Sequence, residues 1–156
     1  MEQLEKLLSP SIIESWAWDR KLPPENFVGQ DDQESVLGRY SLKLASSGKM
    51  PPVFSASQRI AGMKPNTRYR VSFFVKYSGV VPRSGAAGVC LNVNDAGNRW
   101  FPYPRLNGTS RWIFQSFEFT SGAATNAKYV PYVSCAVVGC EKGTVWFDGV
   151  TMAEVK

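Results

Sequence analysis

With 156 residues, 44% of them hydrophobic and 20% charged, the chain has room for one globular domain with a sizeable core and not for two full domains. Thirteen glycines, ten prolines and 13% aromatic residues read as turns joining strands, not as helices or disorder. Histidine is absent, which excludes Ser-His and Cys-His nucleophiles, imidazole bases and the usual histidine-containing zinc sites.

The net charge of +5 is uneven: residues 1–35 hold three basic and eight acidic side chains, so the body beyond them is cationic. That field suits an acidic polysaccharide, a nucleic acid or a plain solvated surface, but no Lys/Arg run of the nucleic-acid kind is present. No apolar stretch reaches the ~18 residues of a membrane span, and residues 1–8 lack the pattern of a secretory signal. Neither a membrane nor a nucleic acid is an expected partner.

Residues 2–8 can form about two turns of helix, ended by Ser9-Pro10, because proline removes a donor and restricts the residue before it. Residues 1–10 thus read as a linker or remnant helix, and 11–156 as the folded module. Residues 13–18 suit a first strand, whereas 19–37, with Pro23-Pro24, Gly29, Asp31, Asp32 and Glu34, have no period and read as a long loop.

From there the period is two. Leu42 and Leu44 alternate with Ser41 and Lys43, and Phe54, Ala56 and Ile60 with Ser55, Ser57 and Arg59. Tyr69, Val71, Phe73 and Val75 follow a turn built on Pro65 and Asn66. Val89, Leu91 and Val93 alternate with Cys90, Asn92 and Asn94, and 112–120, 129–138 and 144–152 continue in the same style.

About eight strands with no amphipathic helix between them exclude a βαβ architecture and predict an all-β fold, an antiparallel β-sandwich of jelly-roll type. Strands that cross between two sheets put 53–60, 87–94 and 128–138 in one sheet, and those starting near 38, 68, 112 and 143 in the other. The outward set of the first sheet is then Ser55, Ser57, Arg59, Asn92, Asn94, Tyr132 and Ser134, which is polar. Cys135 and Cys140 are near enough in sequence to staple a hairpin in an oxidising compartment, leaving Cys90 free.

The series Tyr40-Ser41-Leu42-Lys43-Leu44, then residues 60–76 (IAGMKPNTRYRVSFFVK), then Trp112 and residues 143–150 (GTVWFDGV) resembles the jelly-roll carbohydrate-binding modules of families 4, 9, 16 and 22. The likeness covers roughly residues 11–154. Its most specific pieces are K-P-N-T-x-Y-x-V-S-F and the terminal W-F-D-G-V, in which Gly149 stands where members often carry a second acid. The resemblance implies a noncatalytic, galactose-binding-domain-like sandwich, secreted as part of a larger protein. A glycan crosses the concave sheet in such modules, and a structural calcium ion commonly sits on the opposite side.

Sugar recognition needs flat apolar platforms for pyranose C–H groups and planar or charged side chains for neighbouring hydroxyls. Asn92, Asn94, Arg59 and Tyr132 supply the second kind. Trp100 and Tyr103, in a proline-stiffened loop over 99–105, are the expected platforms, with Phe101 buried; the alternative for these three aromatics is a cap closing one end of the core. Trp18 is a groove candidate that core packing claims equally well, as it does Trp16. Asp148, in an otherwise apolar strand, is either the calcium ligand that the resemblance suggests or a carboxylate held by hydrogen bonds.

Beyond residue 35 the acids are Asp95, Glu118, Glu141, Asp148 and Glu154, and none makes an evident pair on the polar face, so no enzyme is expected. Two readings follow. The first is a carbohydrate-binding module that targets an attached glycoside hydrolase or polysaccharide lyase to its polymer; the second is a β-sandwich structural or protein-interaction module that binds no glycan.

Overall fold

The structure is a computed structural model that describes residues 6–7, 16–19, 21–85, 87–95, 100–123 and 131–156, the side chains of 6, 7 and 100–103 excepted. Among the described residues the regular elements are ten strands: β1 (Lys6–Leu7), β2 (Asn26–Asp31), β3 (Ser41–Ser46), β4 (Val53–Arg59), β5 (Arg68–Pro82), β6 (Gly88–Asn94), β7 (Trp100–Leu106), β8 (Ile113–Thr120), β9 (Tyr132–Val138) and β10 (Cys140–Glu154). No helix is long and apolar enough to cross a membrane.

The strands form two antiparallel sheets. One has the order β2-β3-β10-β5-β8, with β1 also on β10; the other has the order β4-β9-β6-β7. The sheet assignment expected from alternation holds, with β4, β6 and β9 in one layer and β3, β5, β8 and β10 in the other. Each strand turns one side chain in two toward the opposite layer. Leu42, Leu44, Val71, Phe73, Val75, Val145 and Phe147 from one sheet meet Phe54, Ala56, Val89, Leu91, Val93, Val133 and Val137 from the other, all at 1% exposure or less. Phe73 and Phe147 lie 6.1 Å apart, and each buried ring contributes roughly 1.5–3 kcal/mol.

Three departures from the sequence reading have physical causes. The helix expected over 2–8 is not formed at Lys6–Leu7, which pair with Met152 and Thr151, backbone partners that sequence period does not reveal; the rest of that stretch lies outside the described residues. The loop expected over 19–37 contains β2, whose Val28 enters the core while Phe27 stays 48% exposed. The loop expected over 99–105 is strand β7 from Trp100 on, where prolines are tolerated because among the described residues the strand pairs only with β6; residue 99 lies outside the described residues. Of the first strand expected over 13–18, Ala17 makes one bridge to Ser57, and 13–15 lie outside the described residues.

Asn66 adopts φ 49° in the turn before β5, a left-handed conformation that asparagine tolerates. Further along, β10 shifts register against β5 between Asp148 and Thr151. Gly149 sits in that bulge at φ 57°, and a Cβ there would meet Leu37 Cδ1 at 2.7 Å. The extra residue lets Val150 and Met152 point inward after Phe147 has done so.

Candidate functional site

The outward face of the four-stranded sheet is built from register. Arg59 on β4 is the Cα partner of Tyr132 on β9, Tyr132 of Asn94 on β6, and Asn94 of Trp100 on β7. Four of the expected binding residues therefore occupy one row across the sheet. The next row runs Ser57, Ser134, Asn92, Pro102, with Ala17 beyond Ser57 at the β4 edge. Directly opposed Cβ atoms lie about 4.5–5.5 Å apart, so neighbours in a row are close enough to touch one ligand. Ser57 Oγ and Ser134 Oγ are 2.6 Å apart and share a hydrogen bond.

Exposure divides this face. Arg59 is exposed and Ser55, Ser57 and Tyr132 are partly so, whereas Asn92 is 7%, Ser134 5% and Asn94 1% exposed. The accessible strip thus lies on the β4 side. Asn92 and Asn94 occupy the expected face but form its buried floor, and do not stand in an open trough. Burial pushes the Tyr132 phenol above its usual pKa, so it stays a neutral donor through the ordinary pH range.

The remaining candidates separate. Backbone register pairs Tyr103 with Leu91, a core position, which removes it from the Arg59 and Ser57 rows; the register shift between Val89 and Leu91 makes β7 gain a residue there. Phe101 likewise pairs with Val93. The side chains of Trp100, Phe101 and Tyr103 lie outside the described residues. Trp16 is buried in the core at 2%, and Trp18 packs against the core as a partly buried residue, because both alternate with Ala17, the residue aligned with Ser57. Trp18 is therefore not a side chain of the sheet face; it lines a cavity at the β4 edge.

Asp148 is held by backbone donors. Its Oδ2 accepts the backbone N–H groups of Val36 and Leu37, each at 2.8 Å, and Oδ1 accepts that of Gly149 at 2.8 Å. A carboxylate at 1% exposure needs such donors, and these three fill three of the roughly four lone-pair positions of its two oxygens. Among the described residues no group of three or more acidic, histidine or cysteine side chains is placed to hold a metal ion. Asp148 is an anchor between β10 and the 36–37 loop.

Sequence period marks Trp146 as outward but not what surrounds it. On the outer face of the six-stranded sheet, Lys43 Nζ lies 5.7 Å and Lys76 Nζ 5.3 Å from the Trp146 ring, and Trp146 Nε1 donates to Asp31 Oδ2 at 2.6 Å. Lys43 also lies 5.9 Å from the Phe27 ring, and Lys76 pairs with Glu34 at 2.8 Å. The half-buried indole is engaged by its own neighbours.

The acids are dispersed. Glu118 pairs with Arg68 and Glu154 with Lys64, while Asp95, 1% exposed, accepts the Gly122 N–H at 2.8 Å. Cys90, Cys135 and Cys140 are free and buried, so the Cys135–Cys140 staple is not formed. Burial raises the pKa of all three thiols and keeps them protonated and inert.

No family model matches the sequence, and no curated protein matches it. Solved structures do. A family 16 carbohydrate-binding module is 21% identical with a TM-score of 0.56, over 83% of this chain and 85% of that one. The CBM22-1 xylan-binding domain from Paenibacillus barcinonensis Xyn10C is 13% identical with a TM-score of 0.63, over 99% and 96%. A family 4 carbohydrate-binding module is 16% identical with a TM-score of 0.60, over 91% and 96%. At these identities the likeness establishes the shared jelly-roll fold.

Proposed function

We propose that the chain is a noncatalytic carbohydrate-binding module that lays a polysaccharide chain across the accessible strip of the four-stranded sheet. The observation that carries this reading is the accessible pair Arg59 and Tyr132, a guanidinium and a neutral phenol that are partners on adjacent strands, with the partly exposed Ser55 and Ser57 on the same face. A guanidinium offers paired donors to vicinal hydroxyls or to a uronate, and the phenol offers one donor and one acceptor. The fold shared with modules of families 4, 16 and 22 supports the same reading, and the xylan-binding neighbour makes xylan the first polymer to try.

In this role the module raises the effective concentration of an attached polysaccharide-degrading enzyme at its polymer, by tethering and without chemistry of its own. Its place of work is outside the cell, within a larger protein.

A second reading, an interaction module that binds no glycan, is favoured by Phe27, Leu37 and Phe114, which stay 48%, 49% and 58% exposed. Affinity electrophoresis against neutral and acidic polysaccharides decides between them. Retardation of the wild type that Arg59→Ala loses supports the glycan reading, and no retardation in any polymer supports the second.

A further inference from the structure

We infer that the cavity at the β4 edge is a separate subsite for one neutral sugar unit, a side branch of the chain lying on the sheet; this rests on the carbohydrate reading. The cavity holds about 330 Å³, and its lining includes Trp18, Asp19, Val53, Ser55 and Ser57. That volume is at the lower end of the roughly 300–1,000 Å³ of small-ligand pockets and suits one or two sugar rings, not a polymer segment.

Its position follows from incomplete pairing. Ala17 and Ser57 exchange both backbone hydrogen bonds at 2.8 Å, which is the one bridge on the outer edge of β4 among the described residues. In an antiparallel ladder the backbone groups of alternate residues point to the same edge. The N–H and C=O of Ser55 therefore face the same way as those of Ser57, with no backbone partner there among the described residues. They are a donor and an acceptor at the wall of the cavity, two residues from the row that carries Ser57.

The rest of the lining divides as a sugar does. Trp18 and Val53 supply apolar surface for ring C–H groups, and Ser55 and Asp19 supply hydroxyl partners, while Ser57 is already paired with Ala17 and Ser134. Asp19 Oδ1 accepts the Lys21 N–H at 2.9 Å and Oδ2 is left to accept from a hydroxyl. A carboxylate in the lining repels an anionic sugar, so the subsite takes a neutral pentose or hexose and rejects a uronate. Because Ser55 and Ser57 belong both to the cavity and to the sheet face, a branch entering here remains joined to a backbone crossing that face.

The test compares matched polymers, unbranched xylan with arabinoxylan and unbranched mannan with galactomannan, by affinity electrophoresis and titration calorimetry. Val53→Trp fills the cavity from a position 61% exposed, and Asp19→Ala removes the carboxylate. Thermal melting verifies that both variants fold. The wild type is expected to bind one branched polymer about fivefold more tightly than its unbranched match, and each variant to lose that margin with its unbranched affinity unchanged. Equal binding of both members of each pair by the wild type, or equal losses on both in the variants, overturns the branch subsite alone. Absence of wild-type binding to every polymer overturns the carbohydrate reading with it.

Discussion

Arg59 and Tyr132 face each other across the β4–β9 ladder, and both reach solvent while Asn94, next in the row, is 1% exposed. A ligand on this face meets the guanidinium and the phenol before it meets an amide. Arg59→Ala is expected to weaken polysaccharide binding at least tenfold, since hydrogen bonds from a charged donor contribute roughly 1.5–3 kcal/mol. Arg59→Lys keeps the charge but not the paired donors, so it should fall between the two. Calorimetry on the polymer that retards the wild type reads the order directly, and a variant order unrelated to donor geometry would remove Arg59 from the site. Unfolding midpoints in urea should be nearly unchanged, because Arg59 is exposed.

Alternation alone was enough to place Arg59, Asn92, Asn94 and Tyr132 on one face, because a period of two sorts the faces of a strand whatever its neighbours are. It does not report what lies over a face, which is why Asn94 reads as open and is buried. Edge strands leave a weaker pattern in the sequence. Phe27 points out of β2 and Asp31 is covered, against the usual pattern, and the prolines at 102 and 104 of β7 speak against a central strand but not against an edge. Trp146 is outward by the same alternation that buries Val145 and Phe147, yet its lysine partners come from β3 and β5 and depend on register across three strands.

Asp148 is expected to matter for stability and not for metal binding. Replacing it with Asn puts an NH2 group where one oxygen now accepts backbone N–H groups, which costs about 1–3 kcal/mol per unmet donor. Urea unfolding of Asp148→Asn should show that loss, with the segment around Val36 and Leu37 exchanging amide hydrogens faster. A chelator should leave the wild-type melting temperature where it was. A melting temperature that falls with chelator and recovers with calcium would reinstate the cation at this end of the sandwich.

Gly149 is held at its position by the backbone. At φ 57° a side chain is strained, and its Cβ would lie 2.7 Å from Leu37 Cδ1 and 3.2 Å from Phe74 Cδ2. Gly149→Ala is expected to cost at least the roughly 1–2 kcal/mol of the left-handed conformation. Leu37→Ala in the same chain relieves the contact but not the torsion, so a double-mutant cycle should return a favourable coupling smaller than the single loss. Additive effects would show that the torsion alone sets the cost.

Trp146 provides the contrast to Arg59. Its indole N–H is bound to Asp31 at 2.6 Å, and the ammonium groups of Lys43 and Lys76 lie 5.7 and 5.3 Å from its ring. Trp146→Ala removes a charged hydrogen bond and two cation–π contacts, for an expected loss of about 2–4 kcal/mol. Trp146→Phe keeps a ring for the lysines and should recover part of it. Polysaccharide affinity should be unchanged in both, because the residue belongs to the sheet opposite the Arg59 row and its surroundings are filled by β2, β3 and β5. A Trp146→Ala protein that melts as the wild type does but no longer binds polymer would move the glycan to the six-stranded sheet.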